Sequence, residues 1–121
     1  MPRAILDEPS IHSAVRTKIA GWNNAIVDQV RTAVAANDVV VVGMKQNPFP
    51  AKARKALQAI GQPFKYLEYG SYFGMWRPRS ALKMWTGWPT FPMVFLKGVL
   101  VGGSSELQAL IDSGELKAML G

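Results

Sequence analysis

Residues 39–61, VVVVGMKQNPFPAKARKALQAIG, decide how the rest of the chain is read. Val39 to Val42 is an unbroken valine run, the pattern of a short strand buried on both faces. A tight loop follows, and Asn47 stands directly before Pro48. An asparagine side chain caps a helix N-terminus, and proline at the first helical position gives up only an N–H that the helix does not use. Pro50 also falls within the first turn, where no intrahelical donor is lost. Ala53, Ala56, Leu57 and Ile60 then recur at helical spacing, Gly61 is a C-terminal stop, and Pro63 follows.

Working outward, Phe64 to Tyr69 (FKYLEY) alternates and reads as a second strand. Strand, helix and strand over about thirty residues suit a right-handed parallel crossover. Upstream, Ile26, Val27, Val30, Ala33 and Val34 form a helical apolar stripe, with Asn23 or Asn24 as its cap and Asn37-Asp38 as its break. Residues 1–22 show weaker helical spacing (Ile11, Val15, Ile19) and read as an N-terminal extension with a helix of its own, ahead of a domain over 23–121. Downstream, Gly70 to Pro78 is a loop rich in glycine and aromatics, and Arg79 to Thr86 is a short helix. Met93 to Leu96 and Val99 to Val101 form a hairpin about Lys97-Gly98. Helices are predicted over 105–113 and 115–120. The expected fold is α/β and thioredoxin-like: a four-stranded mixed sheet flanked by helices, with the extra N-terminal helical segment.

Composition excludes much. A chain of 121 residues suits one domain with a real core. With no cysteine and a single histidine, His12, it supplies no disulfide, no thiolate nucleophile and no cysteine-held zinc or iron–sulfur cluster. No apolar run is long enough to span a membrane, and the N-terminus lacks a secretory pattern, so a cytoplasmic location is expected. The net charge of +6 is uneven: nine basic residues and one acid, Glu68, lie between Lys45 and Lys97. Such a middle suits an anionic ligand or an acidic protein partner, and equally a set of solvated lysines. Nucleic acid is a weaker match, because no binding motif accompanies the charge.

Two motifs in order carry a family resemblance. Residues 88–120, WPTFPMVFLKGVLVGGSSELQALIDSGELKAML, resemble the C-terminal half of glutaredoxins, and the monothiol class above all. Trp88 to Pro92 match its W-P-T-[IF]-P signature, Gly98 its hairpin turn, and Gly102-Gly103 its double glycine. In the first half, VVVVGMK is similar to the family's strand, and NPFPAKARKALQAIG to its C-G-F-S helix through Phe49, Ala56, Leu57 and Gly61. The departures are as informative. Asn47 occupies the cysteine position, Pro48 and Pro50 flank Phe49, the loop after Lys45 is short, and Ser104-Ser105 replace the C-D pair.

The resemblance implies a glutathione site. Lys45 and Arg79 would meet the glycine carboxylate. The Phe91 backbone, between Thr90 and a cis Pro92, would pair with the cysteinyl part like an added strand. Gly103, Ser104 and Ser105 would meet the γ-glutamyl carboxylate at a helix N-terminus. Thiol–disulfide exchange and cluster ligation both need a sulfur that Asn47 cannot supply, so no catalytic residue and no iron–sulfur cluster are expected. The sequence therefore reads as a redox-inactive glutaredoxin-like binding protein for glutathione, a glutathione-like ligand or an acidic protein partner. The alternative is a glutathione-dependent oxidoreductase or transferase that uses the ligand's own thiol, with Tyr69, Tyr72 or Ser104 supplying a hydrogen bond. Lys52, Arg54 and Lys55 open their helix against its dipole, which hints at an acidic partner. The Tyr, Phe, Trp, Met and Arg of the 70–79 loop are residues enriched at interface hot spots and suit a recognition surface. The competing expectation, favoured here, is that Phe73, Met75 and Trp76 fold back as a satellite core, because a monomer rarely exposes so much apolar area.

Overall fold

The computed structural model describes residues 3–71 and 73–121. The elements, in chain order, are α1 (Ser13–Gly21), α2 (Asn24–Ala36), β1 (Val39–Gly43), α3 (Pro48–Ala59), β2 (Lys65–Glu68), α4 (Trp76–Thr86), β3 (Met93–Leu96), β4 (Val99–Gly102), α5 (Ser104–Ser113) and α6 (Glu115–Leu120). The four strands form one mixed sheet in the order β2-β1-β3-β4. β1 runs parallel to β2 and antiparallel to β3, and β3 and β4 form the hairpin. This is the thioredoxin-like arrangement the sequence predicts.

All five residues of β1 are buried. Alternation sends Val40 and Val42 to one face, with Ile26 and Val30 of α2, Leu82 of α4, Met93 and Phe95. Val39 and Val41 go to the other, with Ala53 and Leu57 of α3, Leu107 of α5 and Leu116 of α6. One strand therefore serves two cores, which is why its valines need no polar alternation. Gly43, at its end, has a steric role. A Cβ there would lie 2.7 Å from the Pro50 Cβ and 2.9 Å from the Tyr66 hydroxyl.

Several boundaries differ from the sequence reading. α4 begins at Trp76, not Arg79, because Pro78 sits in its first turn and costs no hydrogen bond there. α5 begins at Ser104. Asn23 precedes α2 in a left-handed conformation (φ 45°), and its side chain makes no capping bond. α1 forms with His12 as its cap but buries none of its residues. Arg3 joins this segment to the domain by donating from Nη1 to the Thr86 carbonyl.

The expected satellite core is overturned. Phe73 is 91% exposed, Trp76 59% and Met75 46%. For Trp76 the reason is which side of α4 faces the core. Arg79 is buried, and its Nη1 donates to the carbonyls of Tyr69 (2.9 Å) and Gly74 (2.6 Å). Arg79, Ala81 and Leu82 form the buried side of α4, and Trp76 falls on its outer side.

Gly43→Ala is expected to lower stability by about 1–3 kcal/mol, because Pro50 and Tyr66 are not free to retreat from the added methyl group. A fall in the urea midpoint at an unchanged slope would show it; an unchanged midpoint would refute the close fit.

Candidate functional site

The site grows from the C-terminal end of β1. The chain leaves the sheet at Gly43, turns, and enters α3 at Pro48. The Lys45 N–H donates to the Gly70 carbonyl at 2.7 Å. Asn47 Oδ1 accepts from the Phe49 N–H at 3.0 Å, the helix cap expected from its position before proline. Its other side-chain atom does something the sequence did not announce. Nδ2 donates to the Phe91 carbonyl, 3.3 Å away and 44 positions along the chain. Asn47 therefore ties the start of α3 to the loop before β3.

That loop carries a cis bond between Phe91 and Pro92, as expected. Opposite it, Gly103 leads into α5. The Gly103 N–H donates to Glu106 Oε1 at 2.8 Å, a capping contact made from the third helical position. The first-turn N–H groups of Ser104 and Ser105 have no intrahelical acceptor. Phe49, Thr90, Phe91, Pro92, Gly103, Ser104, Ser105 and Glu106 enclose a cleft of about 190 Å³.

Six of the eight candidate residues thus meet in one cleft, and Lys45 and Arg79 are not among its walls. Lys45 is exposed near the aromatic loop. Arg79 lies inside that loop, with one nitrogen held by two carbonyls. Sequence reasoning also missed Glu106 as a wall residue. Its spacing from Gly103, three positions on, is the available signal, since a carboxylate there reaches back to the capping N–H. Phe49, Ser104 and Ser105 are shared with a wider groove of about 690 Å³ between α3 and α5, lined also by Lys52, Lys55, Gln108 and Asp112. Lys52 Nζ stands 5.2 Å from the centre of the Phe49 ring.

Of the residues named for thiol activation, Tyr69 is not among the cleft's walls. The Tyr69 hydroxyl donates to Gln29 Oε1 at 3.0 Å, and burial pushes its pKa up. Tyr66 is pushed up to about 12, first by burial and then by its hydrogen bond to Glu68 and that carboxylate's charge, against the opposing pull of Arg54. Tyr72 lies outside the described residues. Ser104 is the member of that set in the cleft.

Among the described residues no group of three or more His, Cys, Asp or Glu side chains could hold a metal ion. The chain has no cysteine to supply a thiolate sulfur to a cluster. No described helix is long and apolar enough to cross a membrane.

The geometry can be set beside known proteins. No family model matches the chain. A glutaredoxin-like protein of Dictyostelium discoideum is 44% identical over 98 residues, which cover 81% of this chain and 80% of that protein. The chain belongs to the glutaredoxin family. A monothiol relative, a probable monothiol glutaredoxin of Legionella pneumophila, is 35% identical over 77 residues, or 64% of this chain and 83% of that protein. In fold, this family member matches a buckwheat glutaredoxin in complex with glutathione, with a TM-score of 0.69 over 82% of this chain and 90% of that one, at 22% identity.

Two outcomes test the site's construction. Asn47→Ala should cost about 1–2 kcal/mol, since the cap and the Phe91 tether are lost together, whereas Asn47→Ser keeps a capping oxygen and should cost less. Equal urea midpoints for the two variants would show that the tether, not the cap, dominates. Tyr66 tests the electrostatics. Its folded-state pKa lies above the ordinary value near 10, so its contribution is intact below pH 10 and is lost as pH rises from about 10 to 12. Tyr66→Phe should flatten that alkaline decline in a denaturation series.

Proposed function

We propose that this glutaredoxin-family chain is a binding protein with no thiol–disulfide turnover, and that its ligand is glutathione or a peptide of like shape. The observation that carries the reading is the cleft itself. A backbone edge at Phe91 and the N-terminus of α5 both line it, and Asn47 tethers the Phe91 carbonyl. A γ-glutamyl carboxylate suits the N–H groups of Ser104 and Ser105. An extended main chain suits the Phe91 edge, where Asn47 already takes the carbonyl, so the N–H is the group left to pair. The buckwheat protein, which shares the fold, is named for its glutathione complex. At the glycine end the family's arginine position is Arg79, which lies in the loop interior, so the ligand's second carboxylate depends on Lys45.

The ligand's sulfur has no thiol partner in this site. Reduced glutathione and its S-methyl derivative should therefore bind alike, since neither needs a thiolate. Ser105→Asp, which restores an acceptor for the ligand's ammonium group, should tighten both. Isothermal titration calorimetry decides: no heat at millimolar glutathione for either protein would sink the small-ligand reading. Transferase chemistry would rest on Ser104, a neutral hydroxyl and a weak means of stabilising a thiolate. Conjugation of 1-chloro-2,4-dinitrobenzene above the buffer rate, abolished in Ser104→Ala, would favour it over passive binding.

A further inference from the structure

The aromatic loop and the outer face of α4 form a surface that the cleft does not explain. Phe73 (91% exposed), Trp76 (59%), Met84 (56%) and Met75 (46%) are the large apolar groups on it. At 100° per residue, Trp76, Arg77, Ser80, Lys83 and Met84 fall on one side of α4, opposite the buried Leu82. The apolar groups are therefore interleaved with cations. The Arg77 guanidinium stands 5.2 Å from the centre of the Trp76 ring. Lys45, whose N–H is bonded to the Gly70 carbonyl, adds a third cation beside the base of the loop.

Two features separate this surface from ordinary exposed residues. The first is that the loop is shaped. Gly70 turns through a left-handed conformation (φ 67°), Met75 takes one as well (φ 60°) although it is not glycine, and buried Arg79 holds the carbonyls at 69 and 74. Backbone strain of this kind persists where the surroundings over-determine it, and it clusters at working sites. Residues 69, 70, 74 and 75, already held in this geometry, bind without first paying the entropy of ordering. The second feature is its charge. From Tyr69 to Ser105 there is no acidic residue. Glu68, just before the loop, accepts a hydrogen bond from the Tyr66 hydroxyl at 3.1 Å. Among the described residues neither Lys45, Arg77 nor Lys83 has an ion-pair partner.

We propose that this surface docks a short acidic segment of a partner protein, with a leucine or aromatic anchor set among carboxylates. Exposed Trp, Met and Phe beside Arg make up the residue set of interface hot spots, and the anchor would lie on the Phe73–Trp76 ridge. The carboxylates would meet Lys45, Arg77 and Lys83, steering the encounter and fixing its direction. The cations sit between the apolar groups rather than on an opposite face, which favours a peptide over a membrane surface. Arg79, in the loop interior, acts as a positioning residue for the ridge. The inference goes beyond the small-ligand reading and does not depend on it.

The test is a nuclear magnetic resonance titration of the ¹⁵N-labelled full chain with the peptide acetyl-Glu-Asp-Leu-Glu-Glu-Leu-Phe-Glu. Shifts should concentrate at Phe73, Met75 to Arg77 and Met84. Phe73→Ser with Trp76→Ser, and separately Arg77→Glu, should each weaken binding by at least about tenfold. All three substitutions lie on the surface, so thermal midpoints and glutathione heats should not change, and the two readings can fail separately. Any of four results would overturn the proposal. These are no shifts at millimolar peptide, equal binding when every Glu and Asp is replaced by Lys, equal binding when Leu and Phe are replaced by Ser, or shifts centred on Thr90 to Ser105. Self-association or binding to phosphatidylserine vesicles, lost in the same variants, would assign the surface to a second copy or to a membrane instead.

Discussion

Everything in this fold hangs on a strand with no solvent face. β1 is buried along its whole length and contributes valines alternately to two cores. Its polar backbone groups must then be met on both edges, and β2 and β3 meet them, one parallel and one antiparallel. The parallel partner requires a crossover, which is α3. The start of α3 is therefore pinned at the end of β1, beside the loop that leads into β3. The cleft exists because three chain segments are forced to one end of the same strand.

At that point a single side chain makes two structural bonds. Asn47 brings one acceptor, used to cap α3, and one donor, used to hold the Phe91 carbonyl. Both bonds are tasks that an amide performs well, and neither moves an electron. Arg79, a residue the family resemblance assigns to a ligand carboxylate, is buried, and its Nη1 donates to two backbone carbonyls while the apolar side chains of the loop lie exposed.

Much of this was legible in residue order. The valine run, the Asn-Pro helix start, the glycine stops and the hairpin turn are local signals, each decided by a few neighbouring groups. The match to the glutaredoxin pattern placed Thr90 to Pro92 and Gly103 to Ser105 together, and they do share a cleft. Where the reading failed, the deciding contact was remote or geometric. The Asn47 tether spans 44 positions. The exposure of Trp76 follows from which side of α4 faces the core, and composition favours burial for aromatics as readily as for an arginine stem. The start of α4 was displaced because Pro78 reads as a breaker but is tolerated in a first turn.

By itself the sequence determined that this is a thioredoxin-like chain without a thiol, because period, turn chemistry and the absence of cysteine need no third dimension. Only the tertiary structure decided what Asn47 and Arg79 do. Each has several hydrogen-bonding atoms and long-range choices for them, and the packing around β1 selects among those choices.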